Sequence, residues 1–158
     1  MSVRADAETL RSIPIFADCD PVHLQLLAFS SERRHYKSGD TIVKQGEIGE
    51  MAILILDGQA ELLHDKGGGF DSLGTAGPGA MIGEIAMIGG VSYSISAIAR
   101  SAVSATGIRR ELFLRLAEEY PEFGATVFKA LAQKLDGSMS DLLSIQAAFD
   151  RARSFSNL

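Results

Sequence analysis

Apolar positions along the chain change their period twice. Up to about residue 30 they recur at helical spacing. Between about 35 and 108 they come in short β-prone runs cut by glycine, and past 109 the helical spacing returns. A short helix is predicted within residues 6–15, ending before Ile13-Pro14, because proline lacks the amide donor that continues a helix. A second begins after Cys19, with Asp20 as N-cap and Pro21 at the first helical position. Leu24, Leu27 and Ala28 give it one apolar face. In the middle region, strands are predicted at 41–43, 51–56, 59–64, 71–75, 94–99 and 102–108. Asp57-Gly58 reads as a tight hairpin turn, and Gly67, Gly68 and Gly69 read as a second, looser hairpin tip. Turn signals at this spacing indicate a sandwich or a roll.

Past Arg109, Leu112, Leu116 and Ala117 mark a helix that stops before Tyr120, and Pro121 opens a longer one. Its stripe runs through Phe123, Val127, Phe128, Leu131, Leu135, Met139, Leu142 and Leu143 at spacings dominated by three and four. An apolar face of that length extends past a single roll and calls for a partner. Gly137-Ser138 is a point of weakness in it, and residues 154–158 read as a frayed tail. The chain shows no internal repeat.

Composition narrows the function classes. The 158 residues suit one domain with a real core. A net charge of −5 lacks the basic footprint of a domain that binds nucleic acid by itself. The local pairs Arg33-Arg34 and Arg109-Arg110 read as solvated surface. The single cysteine, Cys19, rules out an internal disulfide, fits a reducing compartment and reads as a bystander. The polar start is no signal peptide, and the longest apolar run, 51–56, is too short to span a bilayer. No basic amphipathic helix suggests membrane binding. A cytoplasmic protein is therefore expected. His23, His35 and His64 lie in separate elements without metal-ligand spacing, and no Gly-x-Ser-x-Gly elbow occurs. No catalytic or metal-binding residues are expected, and the chain is not expected to be an enzyme.

One stretch suggests a site. A strand reaches Gly83 and a short helix starts there. A helix start exposes unpaired amides that suit an anion, and glycine allows close approach. Glu84 sits on the first turn, where it either accepts a sugar hydroxyl or caps its own helix.

Two segments carry a family resemblance. One is 42–58, with Gly46, Gly49 and Gly58; the other is 79–99, with Gly79, Gly83-Glu84, Ala86 and Ser92-Tyr93-Ser94. Ile15-Phe16 and the run from Lys37 through Gly39 to Val43 support them. Together, over residues 13–135, they resemble the cyclic nucleotide-binding domain of the Crp/Fnr regulators, the kinase regulatory subunits and the gated channels. The resemblance implies a mainly β fold with flanking helices: an eight-stranded β-roll of jelly-roll type, N-terminal helices and a long C-terminal helix. It divides the chain into a helical lead (1–12), the roll domain (13–135) and a helix extension with tail (136–158). It also implies a phosphate-binding cassette over 82–94. Amides around Gly83, Glu84, Ile85 and Ala86 would hold the cyclic phosphate of cAMP or cGMP. Glu84 would take the ribose 2′-hydroxyl, and Ser94 would touch the base.

The family's arginine, which neutralises the phosphate, is here Tyr93. Two charge-assisted hydrogen bonds at about 1.5–3 kcal/mol each would be lost, or roughly two to four orders of magnitude in affinity. Arg100 stands seven residues from Tyr93, an odd separation that puts it on the opposite strand face. Tyr93 and Ser94 are expected at the rim of the pocket. Three readings remain open: a sensor with weakened or rerouted phosphate recognition, a roll that binds no cyclic nucleotide and works through protein contacts or another ligand, and the sensor part of a Crp/Fnr-type transcription regulator. The chain itself carries no segment for a helix-turn-helix after the long helix and is not expected to bind nucleic acid. The stripe from Phe123 to Leu143 predicts a two-fold homodimer through the C-terminal helix. Sedimentation should show a dimer at high micromolar concentration, and a monomer there would refute it.

Overall fold

The computed structural model describes residues 3–134. Eight strands form two four-stranded antiparallel sheets, in the orders β1-β8-β3-β6 and β2-β7-β4-β5. The strands are β1 (Glu32–Tyr36), β2 (Thr41–Val43), β3 (Met51–Asp57), β4 (Ala60–Asp65), β5 (Phe70–Ala76), β6 (Met81–Ile82), β7 (Ser96–Ala99) and β8 (Val103–Arg109). The helices are α1 (Val3–Arg11), α2 (Pro21–Ser30), α3 (Glu84–Gly89), α4 (Arg110–Glu119) and α5 (Pro121–Lys134). The expected β-roll with flanking helices is the observed architecture.

The unbroken apolar run of β3 has a structural cause. Its residues face two different cores in alternation. Met51, Ile53 and Ile55 point into the space between the sheets, with Val103 and Ala105 of β8. Ala52 and Leu54 point the other way, into a helical layer built from α1, α2, α4 and α5. A strand buried on both faces reads as continuous hydrophobicity rather than alternation. The helical layer is closed by aromatic contacts: Phe16 stacks on Phe123 at 6.4 Å, and His23 on α2 meets Tyr120 at 4.6 Å.

The helix starts agree with the sequence reading. Asp20 caps α2, accepting a hydrogen bond from the Val22 amide at 2.9 Å, and α5 opens on Pro121. The first helix is shifted: α1 begins at Val3 and ends at Arg11, and Pro14–Phe16 forms a separate 3-10 turn. The stripe positions Leu135, Met139, Leu142 and Leu143 lie outside the described residues.

Asp57-Gly58 does not make a hairpin. β3 is flanked on both edges, by β8 and β6, so β4 cannot pair with it and joins the other sheet instead. The turn carries the chain between sheets. Gly58 has φ +95, and a Cβ there would stand 2.2 Å from the Ala102 carbonyl oxygen. The triple glycine does form the β4–β5 hairpin tip.

One strand escaped the sequence reading. β1 is polar, and its arginines are not merely solvated: Arg33 reaches the buried carboxylate of Asp6 on α1 at 2.9 Å. The strand expected to reach Gly83 is present as β6, only two residues long. Cys19 is buried, and burial followed by the nearby Asp18 charge pushes its thiol up to about 11. Among the described residues, no helix is long and apolar enough to cross a membrane.

Gly58→Ala should lower the unfolding free energy by at least about 2 kcal/mol, since the left-handed conformation alone costs an L-residue about 1–2 kcal/mol and the Ala102 oxygen blocks the methyl. Urea denaturation measures it.

Candidate ligand pocket

Edge strand β6 hands the chain to Gly83, which turns it at φ +79 into the six-residue helix α3. Loop 90–95 then leads into β7. This path walls a pocket of about 570 Å3, within the range of small-molecule sites. Its lining brings together all six residues singled out from the sequence: Gly83, Glu84, Ile85, Ala86, Tyr93 and Ser94. Val43, Leu62, Met81, Val91 and Ile95 supply an apolar wall, and Ser92 adds a hydroxyl.

The two sequence segments that define the pocket are fastened to each other. The Gly49 amide donates to the Val91 carbonyl at 2.9 Å, the Gly46 amide to Tyr93 O at 3.0 Å, and the Tyr93 amide to Glu47 O at 2.8 Å. A Cβ on Gly49 would stand 2.4 Å from the Ala86 Cβ, so loop 46–50 lies directly on α3.

Tyr93 is not at the rim. Only 8% of it is exposed, and it belongs to the core between the sheets. Its hydroxyl donates to the Met51 carbonyl oxygen at 2.5 Å. Its ring lies over Gly83, where a Cβ would be 2.6 Å from the ring. Burial pushes its phenol above the ordinary value, opposed by the Met51 amide, which donates to the phenol oxygen at 3.4 Å, and reinforced by Tyr36, Glu50 and Glu47. A flat, buried ring explains why glycine is needed at 83: any side chain would displace it.

Glu84 neither caps α3 nor stands free. The N-cap is Gly83, with no side-chain cap bond. The Glu84 carboxylate is nearly buried, and its Oε1 accepts from Lys134 Nζ at the end of α5, at 2.5 Å. Two arginines near the site are also engaged. Arg110 donates from Nη1 to the carbonyls of Met87 (2.6 Å) and Ile88 (2.7 Å), at the C-terminal end of α3, where a cation suits the helix dipole. Burial pulls its guanidinium below the ordinary value. Arg100 grips Glu61 on β4 at 2.9 and 2.7 Å. The sequence reading missed Met51, Arg110 and Lys134. For Arg110 a signal existed, a basic residue opening a helix right after a strand, but nothing in the sequence pairs it with residue 88.

Chemically, the pocket can hold a small molecule between apolar walls and a few polar handles. Among the described residues, no group of three or more His, Cys, Asp or Glu could hold a metal.

Comparisons with known proteins place this geometry. Residues 33–120 match the family described as cyclic nucleotide-binding domain. The cyclic AMP receptor protein of Thermus thermophilus is 28% identical over 145 residues, covering 90% of this chain and 67% of that protein. Among solved structures, a cyclic nucleotide-binding-like protein from Brucella abortus is 30% identical, with a TM-score of 0.66 over 72% of this chain and 98% of that one. The regulatory subunit of a cAMP-independent protein kinase A from Trypanosoma brucei, a triple mutant bound to cAMP, has the same fold at 20% identity. Its TM-score is 0.68 over 96% of this chain and 51% of that one.

Tyr93→Phe keeps the ring and removes both hydrogen bonds between the hydroxyl and the Met51 backbone, leaving a buried carbonyl short of its donor. The variant should lose about 1–3 kcal/mol of stability in urea denaturation. An unchanged midpoint would mean that the hydroxyl bond contributes nothing.

Proposed function

The chain belongs to the cyclic nucleotide-binding domain family, and from that premise we propose that it is a non-enzymatic regulatory module whose pocket works without the arginine clamp on phosphate, and therefore holds cAMP or cGMP only weakly. One observation carries this reading. The residue at the arginine's position is turned inward and tied to the shell by Met51 and Gly83, so it cannot serve a phosphate. Three described cations near the site are committed as well: Arg110 to the far end of α3, Arg100 to Glu61 and Lys134 to Glu84. An anion buried in apolar surroundings without a counter-charge is strongly disfavoured. The Trypanosoma brucei subunit gives parallel support: it is described as cAMP-independent, and the form bound to cAMP is a mutant with a Thr-to-Arg change among its three. The module would act in the cytoplasm through protein contacts, first of all with a second copy of itself, either alone or as the sensor part of a larger regulator.

A second reading, cyclic nucleotide sensing through a rerouted cation, rests on Lys134. Its ammonium lies against the glutamate that lines the pocket, and it is carried on a flexible side chain.

Calorimetry separates the two. The wild type should bind both cyclic nucleotides no tighter than the millimolar range. Tyr93→Arg should gain at least about tenfold, or about 1.4 kcal/mol. Micromolar wild-type binding would contradict the proposal, and its loss in Lys134→Ala would establish the second reading.

A further inference from the structure

We infer that the pocket selects an uncharged ligand with an apolar body and one hydroxyl or amide donor, which Glu84 accepts. The inference rests on the preceding reading that this pocket is the ligand site, and it names the ligand class.

The charge inventory of the pocket carries it. Of its lining residues, Glu84 alone bears a formal charge. That carboxylate is already neutralised by Lys134 through Oε1. Lys134 donates to Oε1, and the second oxygen is the acceptor left for a ligand. Arg110, beside α3, is spent on the Met87 and Ile88 carbonyls. Helix α3 is six residues long, too short for its start to replace a missing guanidinium. An anionic ligand would therefore meet a carboxylate and find no free cation among the described lining residues. A cationic ligand would have to share that carboxylate with the Lys134 ammonium. A neutral ligand disturbs neither. Its body would rest on Leu62, Met81, Val91 and Ile95, with Ser92 and Ser94 as further polar handles.

The test uses three matched probes that differ at one group: 2-naphthol, its phosphate ester and its methyl ether. The chain contains no tryptophan, so naphthyl fluorescence reports binding directly on the full-length protein. 2-Naphthol should bind at least tenfold tighter than the phosphate ester and several-fold tighter than the methyl ether. Amide shifts on binding should centre on Gly83, Ile85 and Ser94. Glu84→Gln frees the Lys134 ammonium, so the phosphate ester should gain at least tenfold. The conservative change Lys134→Gln, at a half-exposed side chain, should move the ratio the other way. The inference is overturned by a phosphate ester that binds the wild type as well as naphthol does, by a methyl ether equal to naphthol, by amide shifts elsewhere, or by no binding up to the solubility limit. Each of these outcomes leaves the regulatory reading standing if cyclic nucleotides remain millimolar ligands. Micromolar cyclic nucleotide binding removes both.

Discussion

The close approach of loop 46–51 to the turn at residues 83–93 is the constraint on which the rest of this structure depends. Three contacts make it: the Tyr93 hydroxyl on the Met51 carbonyl, the Tyr93 ring over Gly83, and Gly49 against Ala86. Met51 opens β3, the strand that both cores share, so the pocket wall is fastened to a strand whose first five residues are buried. A well-packed interior has few alternative arrangements. A turn anchored there holds its shape without a ligand. The pocket is thus prearranged by the fold, and its character is set by what the anchoring residue leaves available.

What it leaves is a cleft whose one charged described lining residue, Glu84, is already paired with Lys134. In a site that gripped phosphate, the residue after Ser92 would project a cation into the pocket. Here that residue has become part of the wall. The positive charges around the site each stabilise something else. Arg110 secures α3 to the start of α4, and Lys134 secures the end of α5 to Glu84. The second link joins the helical layer to the pocket directly. The Glu84 carboxylate that lines the pocket is the one that holds the last described turn of α5.

Much of this was legible in the sequence because it follows from local chemistry. Asp20-Pro21 announced α2, Pro121 announced α5, and the glycines at 46, 49, 58 and 83 marked the turns in order. The six pocket residues were recoverable because they lie in one continuous segment, whose path alone brings them together. Contacts between distant segments were not legible. Asp57-Gly58 has the local chemistry of a hairpin, yet both edges of β3 are taken by strands from later in the chain. β1 is polar because it lies at a sheet edge and uses Arg33 to reach α1, so no apolar alternation betrays it. The inward turn of Tyr93 was hidden for the same reason: its acceptor is a backbone carbonyl 42 residues away. Residue identity showed that a charge was missing, but not that the replacement had been absorbed into the shell.

The central claim is that Tyr93 is a buried, hydrogen-bonded part of that shell. Titration of 13Cζ-labelled tyrosine by NMR tests it most directly. Burial raises the folded phenol above its ordinary value of 10.0. Its stabilising contribution is then fully present below about pH 10 and is lost as pH rises through the folded value. The account predicts that the Tyr93 signal titrates above an ordinary phenol and does so together with loss of structure. A Tyr93 signal that titrates at the ordinary value in a protein that stays folded would contradict it.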